Sequence, residues 1–128
     1  MLFAIGLDAT EIARFAEWHA KSKKQLARVL TALEIDYCLH NPAKSAERFA
    51  ARFAAKEALF KALSQQYPGH TVPFLTVCRS AEVVIKRAPE LIVAWQKLGL
   101  PPCKTHVTIT HTQTTAIALV ILTNLVDN

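Results

Sequence analysis

The chain has 128 residues, of which 52% are hydrophobic, and its formal net charge is +5. We expect a single domain over residues 1–128 with a genuine core, and the hydrophobic content excludes a disordered chain. The longest apolar run, 116–122, is too short to span a membrane, and the N-terminus lacks the pattern of a signal peptide. Three distant cysteines fit no metal-ligand spacing, and free thiols favour a cytoplasmic protein.

The chain opens with a short apolar run, residues 2–7, that predicts a buried strand. Asp8 would then stand at the strand end, a common place for a catalytic or metal-binding carboxylate. The alternative is that Asp8, or Thr10 just after it, caps a helix over residues 10–20. Ile12 and Phe15 would give that helix part of its apolar face.

Further helices and much of the positive charge follow in the first third of the chain. Helical spacing of apolar residues predicts a helix over 23–33, and residues 31–39 either bend it or begin a third. The basic residues of this part include Arg14, Lys21, Lys24 and Arg28. A basic balance indicates an acidic partner: nucleic acid, an anionic protein or a phosphate-rich cofactor. The alternative is a solvated helical face, and aromatic residues do not interleave with the basic ones as base-stacking platforms would.

Residues 48–63 contain no Gly, Pro or β-branched residue and predict a long central helix, with Ser45 as its cap. On a helical wheel, an aromatic stripe that must be buried is formed by Phe49, Phe53 and Phe60. Glu57 and Lys61 lie in the adjoining arc of alanines, whereas solubility alone would place them opposite the stripe. Small neighbours leave room for a ligand or metal ion. The alternative is an i,i+4 ion pair that stabilises the helix by about 0.2–0.5 kcal/mol.

The second half of the chain changes periodicity after a loop over residues 64–73. Strands are expected over 74–86, 91–95, 105–110 and 116–122, with a hairpin connection at 87–89. One face of the third strand carries His106, Thr108 and Thr110, and His111 lies beside it. The fold class is therefore α+β: a short N-terminal strand, a helical segment with one long central helix, then a mostly antiparallel sheet.

The last strand, residues 116–122, is apolar on both faces. It could lie at an interface between subunits, because a chain this small covers few strands on both sides. It could equally be a central strand beneath the long helix.

The charged residues suggest a site for a metal and phosphates. Asp8 and Glu57 come from separate elements, and Mg²⁺ typically binds one or two carboxylates together with phosphate oxygens and waters. Lys61 would neutralise charge on a phosphate, and further phosphates could be held by Lys44, Arg48 and Arg52. The sequence contains no Walker loop, no Gly-rich dinucleotide fingerprint and no Cys/His zinc spacing.

Three motifs then occur in order: Gly-Leu-Asp at 6–8, Arg-Phe-Ala-Ala-Lys-Glu-Ala at 52–58 with Lys-Ala-Leu at 61–63, and His-Val-Thr-Ile-Thr-His-Thr at 106–112. Over about residues 5–122, the chain resembles the holo-[acyl-carrier-protein] synthases, the small single-domain 4′-phosphopantetheinyl transferases. The resemblance implies their fold and the transfer of phosphopantetheine from coenzyme A to a serine of apo acyl carrier protein. The other product would be adenosine 3′,5′-bisphosphate.

The resemblance also implies roles for individual residues. Asp8 and Glu57 would bind Mg²⁺, which grips the coenzyme A pyrophosphate, and Lys61 would lie close to the same phosphates. The strand carrying His106, Thr108 and His111 would line the coenzyme A cleft. Arg14 would contact an acidic helix of the carrier protein, and the basic residues Lys21, Lys24 and Arg28 suit the same partner. Family members of this size form trimers with active sites between subunits.

Three departures from the family pattern stand out. The Gly-rich turn that usually follows the central helix is replaced at 64–69, and the Gly-x-Pro turn appears at 87–89 without its Gly. Thr108 stands where the family often has Ser, and keeps the hydroxyl. We expect a Mg²⁺-dependent enzyme of fatty acid biosynthesis that binds neither nucleic acid nor membrane. The alternative is a non-catalytic basic module that binds an acidic protein or nucleic acid.

Overall fold

The computed structural model describes residues 3–125. In chain order the strands and α-helices are β1 (Phe3–Glu11), α1 (Lys23–Leu26), α2 (Ala32–His40), α3 (Ser45–Gln66), α4 (Phe74–Arg79), β2 (Ala81–Ile85), β3 (Pro89–Val93), α5 (Trp95–Leu98), β4 (Lys104–His111) and β5 (Thr115–Thr123). Short 3-10 helices occupy Ile12–Phe15, Trp18–Ala20 and Pro42–Lys44. The α+β class, the long central helix and the late antiparallel strands are as predicted. No helix within residues 3–125 is both long and apolar enough to span a membrane.

The fold is organised by the contact of α3 with a three-stranded antiparallel sheet. The strand order is β1-β5-β4, and β2 and β3 form a separate hairpin. Helix α3 covers one face of the sheet, where the buried residues of β5 are Ala116, Ala118, Val120 and Leu122. Strand β5 is therefore central and lies beneath the long helix. On its other face Ile117, Leu119 and Ile121 are only half-buried, so part of the apolar surface of β5 stays open.

The small residues of α3 serve a close approach between helix and strand. A Cβ on Gly6 would lie 1.8 Å from the Ala58 carbonyl oxygen, so only glycine fits at this crossing. Ala54, Ala58 and Ala62 are completely buried at the same contact. The alanine arc thus makes room for β1 rather than for a ligand, which corrects the first interpretation of this arc.

A buried ion pair, which the sequence had not indicated, connects α2, the end of α4 and β2 to α3. Lys56 is 0% exposed, and its Nζ donates to Glu34 Oε1, to the Cys78 carbonyl and to the Ala81 carbonyl, each at 2.7 Å. Glu34 Oε2 accepts from the Val83 N–H at 2.8 Å. All three ammonium donors are used, as a buried charge requires. The pair joins α2, α3, the end of α4 and β2.

The first third of the chain differs from the prediction. Strand β1 continues through Asp8 to Glu11, and its exposure alternates because only one face packs on α3. Asp8 is therefore mid-strand, and the helix expected over 10–20 is replaced by two 3-10 turns. The helix expected over 23–33 ends at Leu26. A new helix, α2, begins after Thr31, whose side chain and that of Glu34 form a reciprocal capping box.

Two further expectations are corrected, and one predicted phosphate-binding residue is buried. Ser45 is the first residue of α3 rather than its cap, and its side chain is buried. Residues 74–79 form helix α4, so the strand expected over 74–86 begins only at Ala81. Arg52, on the far face of α3 from the alanine arc, is only 3% exposed because α2 and β2 cover it.

The turns that depart from the family pattern form without unusual backbone strain. The hairpin connection predicted at 87–89 is confirmed, with the Lys86 N–H donating to the Ala88 carbonyl at 3.3 Å. Among residues 3–125, only two glycines have positive φ, and one is Gly69 at +86°. The three cysteines, Cys38, Cys78 and Cys103, are buried free thiols.

Candidate active site

The free edge of β1 fixes the position of Lys61. Lys61 Nζ donates to the Leu7 carbonyl at 2.9 Å, and Gln65 Oε1 accepts from the Ile5 N–H at 2.7 Å. Side chains of α3 thereby satisfy backbone groups that have no strand partner on this edge. Lys61 Nζ also lies 3.2 Å from Asp8 Oδ1, with side chains 52% and 15% exposed. The structure thus brings the predicted pair Asp8 and Lys61 together.

Glu57 belongs to the same cluster. Burial raises the pKa of the Glu57 carboxyl, and the negative charge of Asp8 raises it further. The positive charges of Lys61 and Arg14 act in the opposite direction and do not fully compensate. Two carboxylates therefore lie close together at a half-buried edge, and their repulsion leaves the site able to gain from an added positive charge.

The donor set fits Mg²⁺. Two carboxylates from different elements face an open edge, and a hard cation with several remaining positions for water and phosphate oxygens suits them. No group of three or more His, Cys, Asp or Glu residues within 3–125 could hold a metal ion unaided. Asp8 and Glu57 would therefore supply part of a coordination shell and a phosphate-bearing ligand the rest.

Arg14 extends the cluster toward the basic segment. Its Nη1 donates to Thr10 Oγ1 at 2.9 Å, and its guanidinium lies 5.5 and 5.4 Å from the ring centroids of Phe15 and Phe53. The other predicted partner-binding residues are exposed farther along: Lys21, Lys24 and Arg28. These four residues make up the basic surface, and Arg14 is the member that lies close to Glu57.

A second group of predicted residues lines a separate groove of about 200 Å³. Its basic side chains are Lys44, Arg48, Arg52 and His111. The guanidiniums of Arg48 and Arg52 lie 4.0 and 4.2 Å from the Tyr37 ring centroid, which holds them in place. His111 Nε2 lies 3.1 Å from Glu47 Oε1. Among the side-chain atoms of residues 3–125, the Nε of Arg52 is buried without a hydrogen-bond partner.

Comparison with known proteins identifies the family. The model of the 4′-phosphopantetheinyl transferase superfamily matches residues 4–120. The holo-[acyl-carrier-protein] synthase of Treponema denticola is 31% identical over 124 residues, covering 95% of this chain and 98% of that protein. The synthase of Anaeromyxobacter dehalogenans strain 2CP-1 is 36% identical over 135 residues, covering 95% and 96%. The chain belongs to the holo-[acyl-carrier-protein] synthase family.

Solved structures of synthases in this family share the fold. The complex of the Chronobacterium ammoniagenes synthase with CoA gives a TM-score of 0.81 at 27% identity and covers 98% of this chain and 100% of that one. The Bacillus anthracis holo-(acyl-carrier-protein) synthase in complex with CoA (3′,5′-ADP) gives 0.73 at 28%, covering 94% and 96%. This chain is accordingly an enzyme, a 4′-phosphopantetheinyl transferase, and its fold is the one that the sequence predicted.

One chain of this synthase does not bring all predicted site residues together. His106 and Thr108 lie on the open face of the sheet, opposite α3, and His106 Nε2 is 3.0 Å from Thr123 Oγ1. Arg52 lies about 140° around α3 from Glu57 by helix geometry. The predicted metal-binding, catalytic and coenzyme A-binding residues therefore form three groups: the acidic cluster with Lys61, the basic groove, and the open sheet face.

Sequence reasoning missed two pairs near these groups. Lys56 falls about 20° from Phe49 on the helical wheel, at the edge of the aromatic stripe, and a lysine there signals a buried charge that needs a partner. Its partner Glu34 is 22 positions away, which no spacing rule reveals. The second pair is Ser64, in the last turn of α3, and His70, just after residues 64–69, with 3.2 Å between Ser64 Oγ and His70 Nε2. The missing glycines of that segment were the signal.

Proposed function

We propose that the protein transfers 4′-phosphopantetheine from coenzyme A to a serine of apo acyl carrier protein. The observation that supports this most directly is the cluster formed by Asp8 of β1 with Glu57 and Lys61 of α3, the helix that carries the family's second motif. The complexes of related synthases with CoA support coenzyme A as the substrate. The two products are holo acyl carrier protein and adenosine 3′,5′-bisphosphate. The holo carrier protein serves fatty acid biosynthesis in the cytoplasm.

The reaction is a phosphoryl transfer in which the residues mainly position groups and neutralise charge. The serine oxygen bonds to the phosphorus attached to pantetheine, and the bond from that phosphorus to the bridging oxygen of the pyrophosphate breaks. Asp8 and Glu57 would hold Mg²⁺, which when bound supplies positive charge at the pyrophosphate. Lys61, held by the Leu7 carbonyl, stabilises charge on the departing phosphate. The serine proton passes to Glu57, to Asp8 or to a water.

The separation of the site residues supports an active site shared between subunits of a homotrimer. The open sheet face exposes 58% of Phe3 and 57% of Leu7, a combination of apolar residues typical of interfaces. His106 and Thr108 lie on this same face and would enter a site only through a second copy. In that assembly Lys44, Arg48, Arg52 and His111 would line the coenzyme A cleft opposite the acidic cluster of a neighbouring subunit.

The basic surface supports docking of an acidic carrier protein next to the cluster. Arg14 lies close enough to Glu57 to lower its pKa, so a carrier bound to Arg14 would present its serine near the carboxylates. Lys21, Lys24 and Arg28 would speed association by complementary charge.

Intact-protein mass spectrometry of an apo acyl carrier protein tests the proposal. We expect a gain of one phosphopantetheine mass with coenzyme A and Mg²⁺, and no gain with EDTA or with Glu57→Ala. Asp36→Ala, which removes an exposed carboxylate of α2, is the matched control and should retain activity. No gain with several carrier proteins, and partner binding unchanged in Asp8→Ala and Glu57→Ala, would favour the non-catalytic module instead.

A further inference from the structure

The end of α3 and the following loop carry a hydroxyl and imidazole pair beside the acidic cluster. Ser64 Oγ lies 3.2 Å from His70 Nε2, and His70 Nδ1 accepts from the Val72 N–H at 3.1 Å. The imidazole also stands edge-on to the Phe60 ring, with centroids 5.7 Å apart. Three contacts therefore fix this ring, in the segment where the family usually has a Gly-rich turn.

The hydrogen bonds determine which atom of Ser64 is free. Because the Val72 N–H donates to Nδ1, that nitrogen carries no proton, and the neutral ring carries its proton on Nε2. His70 Nε2–H thus donates to Ser64 Oγ. The hydroxyl proton of Ser64, an exposed residue, remains available to an acceptor outside the pair.

Helix geometry places this hydroxyl in line with the proposed active site. Glu57, Lys61 and Ser64 are spaced by four and three residues, so they share one face of α3. Ser64 lies about 20° from Glu57 around the helix and about 4.5 Å beyond Lys61 along its axis. A long ligand whose charged part lies at Glu57 and Lys61, and which extends toward the end of α3, therefore passes Ser64.

We propose that Ser64 donates a hydrogen bond to an oxygen of coenzyme A, and that His70 is the positioning residue that orients the Ser64 hydroxyl. The acceptor is either a pyrophosphate oxygen or a carbonyl oxygen of the pantetheine arm, since both accept from a hydroxyl. This inference rests on the proposed function. It assigns a substrate contact to a segment that departs from the family's usual sequence.

Steady-state kinetics with varied coenzyme A tests the contact. Ser64→Ala should raise KM for coenzyme A about three- to tenfold, the usual effect of one lost neutral hydrogen bond, and leave KM for the carrier protein unchanged. Ser64→Thr keeps the hydroxyl and should stay near wild type. His70→Phe keeps the contact with Phe60 but leaves Ser64 free to rotate, so it should raise KM less than Ser64→Ala. If both variants only lower the melting temperature and keep the wild-type KM, the pair is a structural link and the inference is wrong.

Binding calorimetry distinguishes a pyrophosphate oxygen from a pantetheine carbonyl oxygen as the acceptor. It also tests the Ser64 contact independently of the proposed transfer reaction. 3′-Phosphoadenosine 5′-diphosphate keeps the pyrophosphate and lacks the pantetheine arm. If Ser64→Ala weakens its binding as much as that of coenzyme A, the acceptor is a phosphate oxygen; if its binding is unchanged, the acceptor lies on pantetheine. If the wild type transfers no phosphopantetheine, the proposed function is wrong. The Ser64 contact can still be tested in that case by comparing the coenzyme A affinity of the wild type with that of Ser64→Ala. Equal affinity for coenzyme A would overturn it.

Discussion

Lys56 and Glu57 are neighbours on α3, yet their charges have opposite environments. The Lys56 ammonium is completely buried and makes three hydrogen bonds of 2.7 Å, one of them to a carboxylate. The Glu57 carboxylate is half-buried, and burial and Asp8 raise its pKa despite Lys61 and Arg14. The satisfied charge holds four elements in place. The carboxylate that remains poorly neutralised is the one that can gain from a cation and a phosphate.

The two environments also depend on each other. Lys56 fixes α3 against α2 and β2, and Glu57 follows on the adjacent position of a helix whose other face contacts β1. A carboxylate that repels another carboxylate stays in place only if the surrounding structure is rigid. The buried pair therefore supports the adjacent cluster in which Asp8 and Glu57 repel each other.

Removing Lys56 from the buried ion pair should have the largest effect, and this effect is on stability. Lys56→Ala leaves Glu34 charged and buried without its partner, and we expect the free energy of unfolding to fall by about 3–5 kcal/mol. Urea unfolding measures this loss. The double variant Lys56→Met with Glu34→Leu removes both charges and should recover part of the stability. The Cys78 and Ala81 carbonyls and the Val83 N–H still lose their partners in it. A single variant as stable as the wild type would show that the pair does not hold the fold.

Removing the charge of Glu57 should strongly reduce activity and leave the fold intact. Glu57→Gln keeps the shape and removes the charge, so we expect kcat/KM to fall by more than about a hundredfold. Transfer measured by mass spectrometry, with circular dichroism as the check on folding, decides this. Turnover close to that of the wild type would remove Glu57 from the site.

Removing a lysine from the basic groove should have an intermediate effect, and this effect is on KM for coenzyme A. Lys44→Ala removes an exposed positive charge from the groove, and we expect KM for coenzyme A to rise about tenfold, because charged hydrogen bonds to phosphate are lost. The melting temperature should not change, in contrast to Lys56→Ala. Lys86→Ala, which removes another exposed lysine, is the matched control. An equal KM in both variants would exclude a phosphate contact by Lys44.

The smallest expected effect is the pH dependence that Glu57 gives to the free energy of unfolding. Because its pKa is raised in the folded protein, Glu57 binds a proton more tightly there than in the unfolded chain. Its contribution to the free energy of unfolding therefore decreases as pH rises from 4.5, its ordinary pKa, through the raised value. We expect Glu57→Gln to be more stable than the wild type near neutral pH and equally stable below pH 4.5 in urea unfolding. A less stable variant near neutral pH would mean that Glu57 is well paired.

The sequence predicted α3, the shared face of Glu57 and Lys61, and the alternation of β4, because each depends on local periodicity. It misplaced Asp8, because an apolar run does not show where a strand ends when alternation continues through polar residues. The helix expected over 10–20 does not form: Phe15 is buried and Ile12 partly buried against α3 within short 3-10 turns, a tertiary contact that local spacing does not reveal. The partner of Lys56 and the separation of the site into three groups depend on tertiary contacts that no spacing encodes.

The burial of the three cysteines makes the protein suitable for selective labelling. Burial raises the pKa of Cys38 and of Cys78 to about 12, and Cys103 is also enclosed, with its Sγ 3.2 Å from the Tyr67 hydroxyl. Thiol reagents attack the thiolate, so these native groups react slowly. A single cysteine introduced at the exposed position of Lys24 would therefore take up a maleimide fluorophore alone, and its emission would report the arrival of an acidic protein on the basic surface.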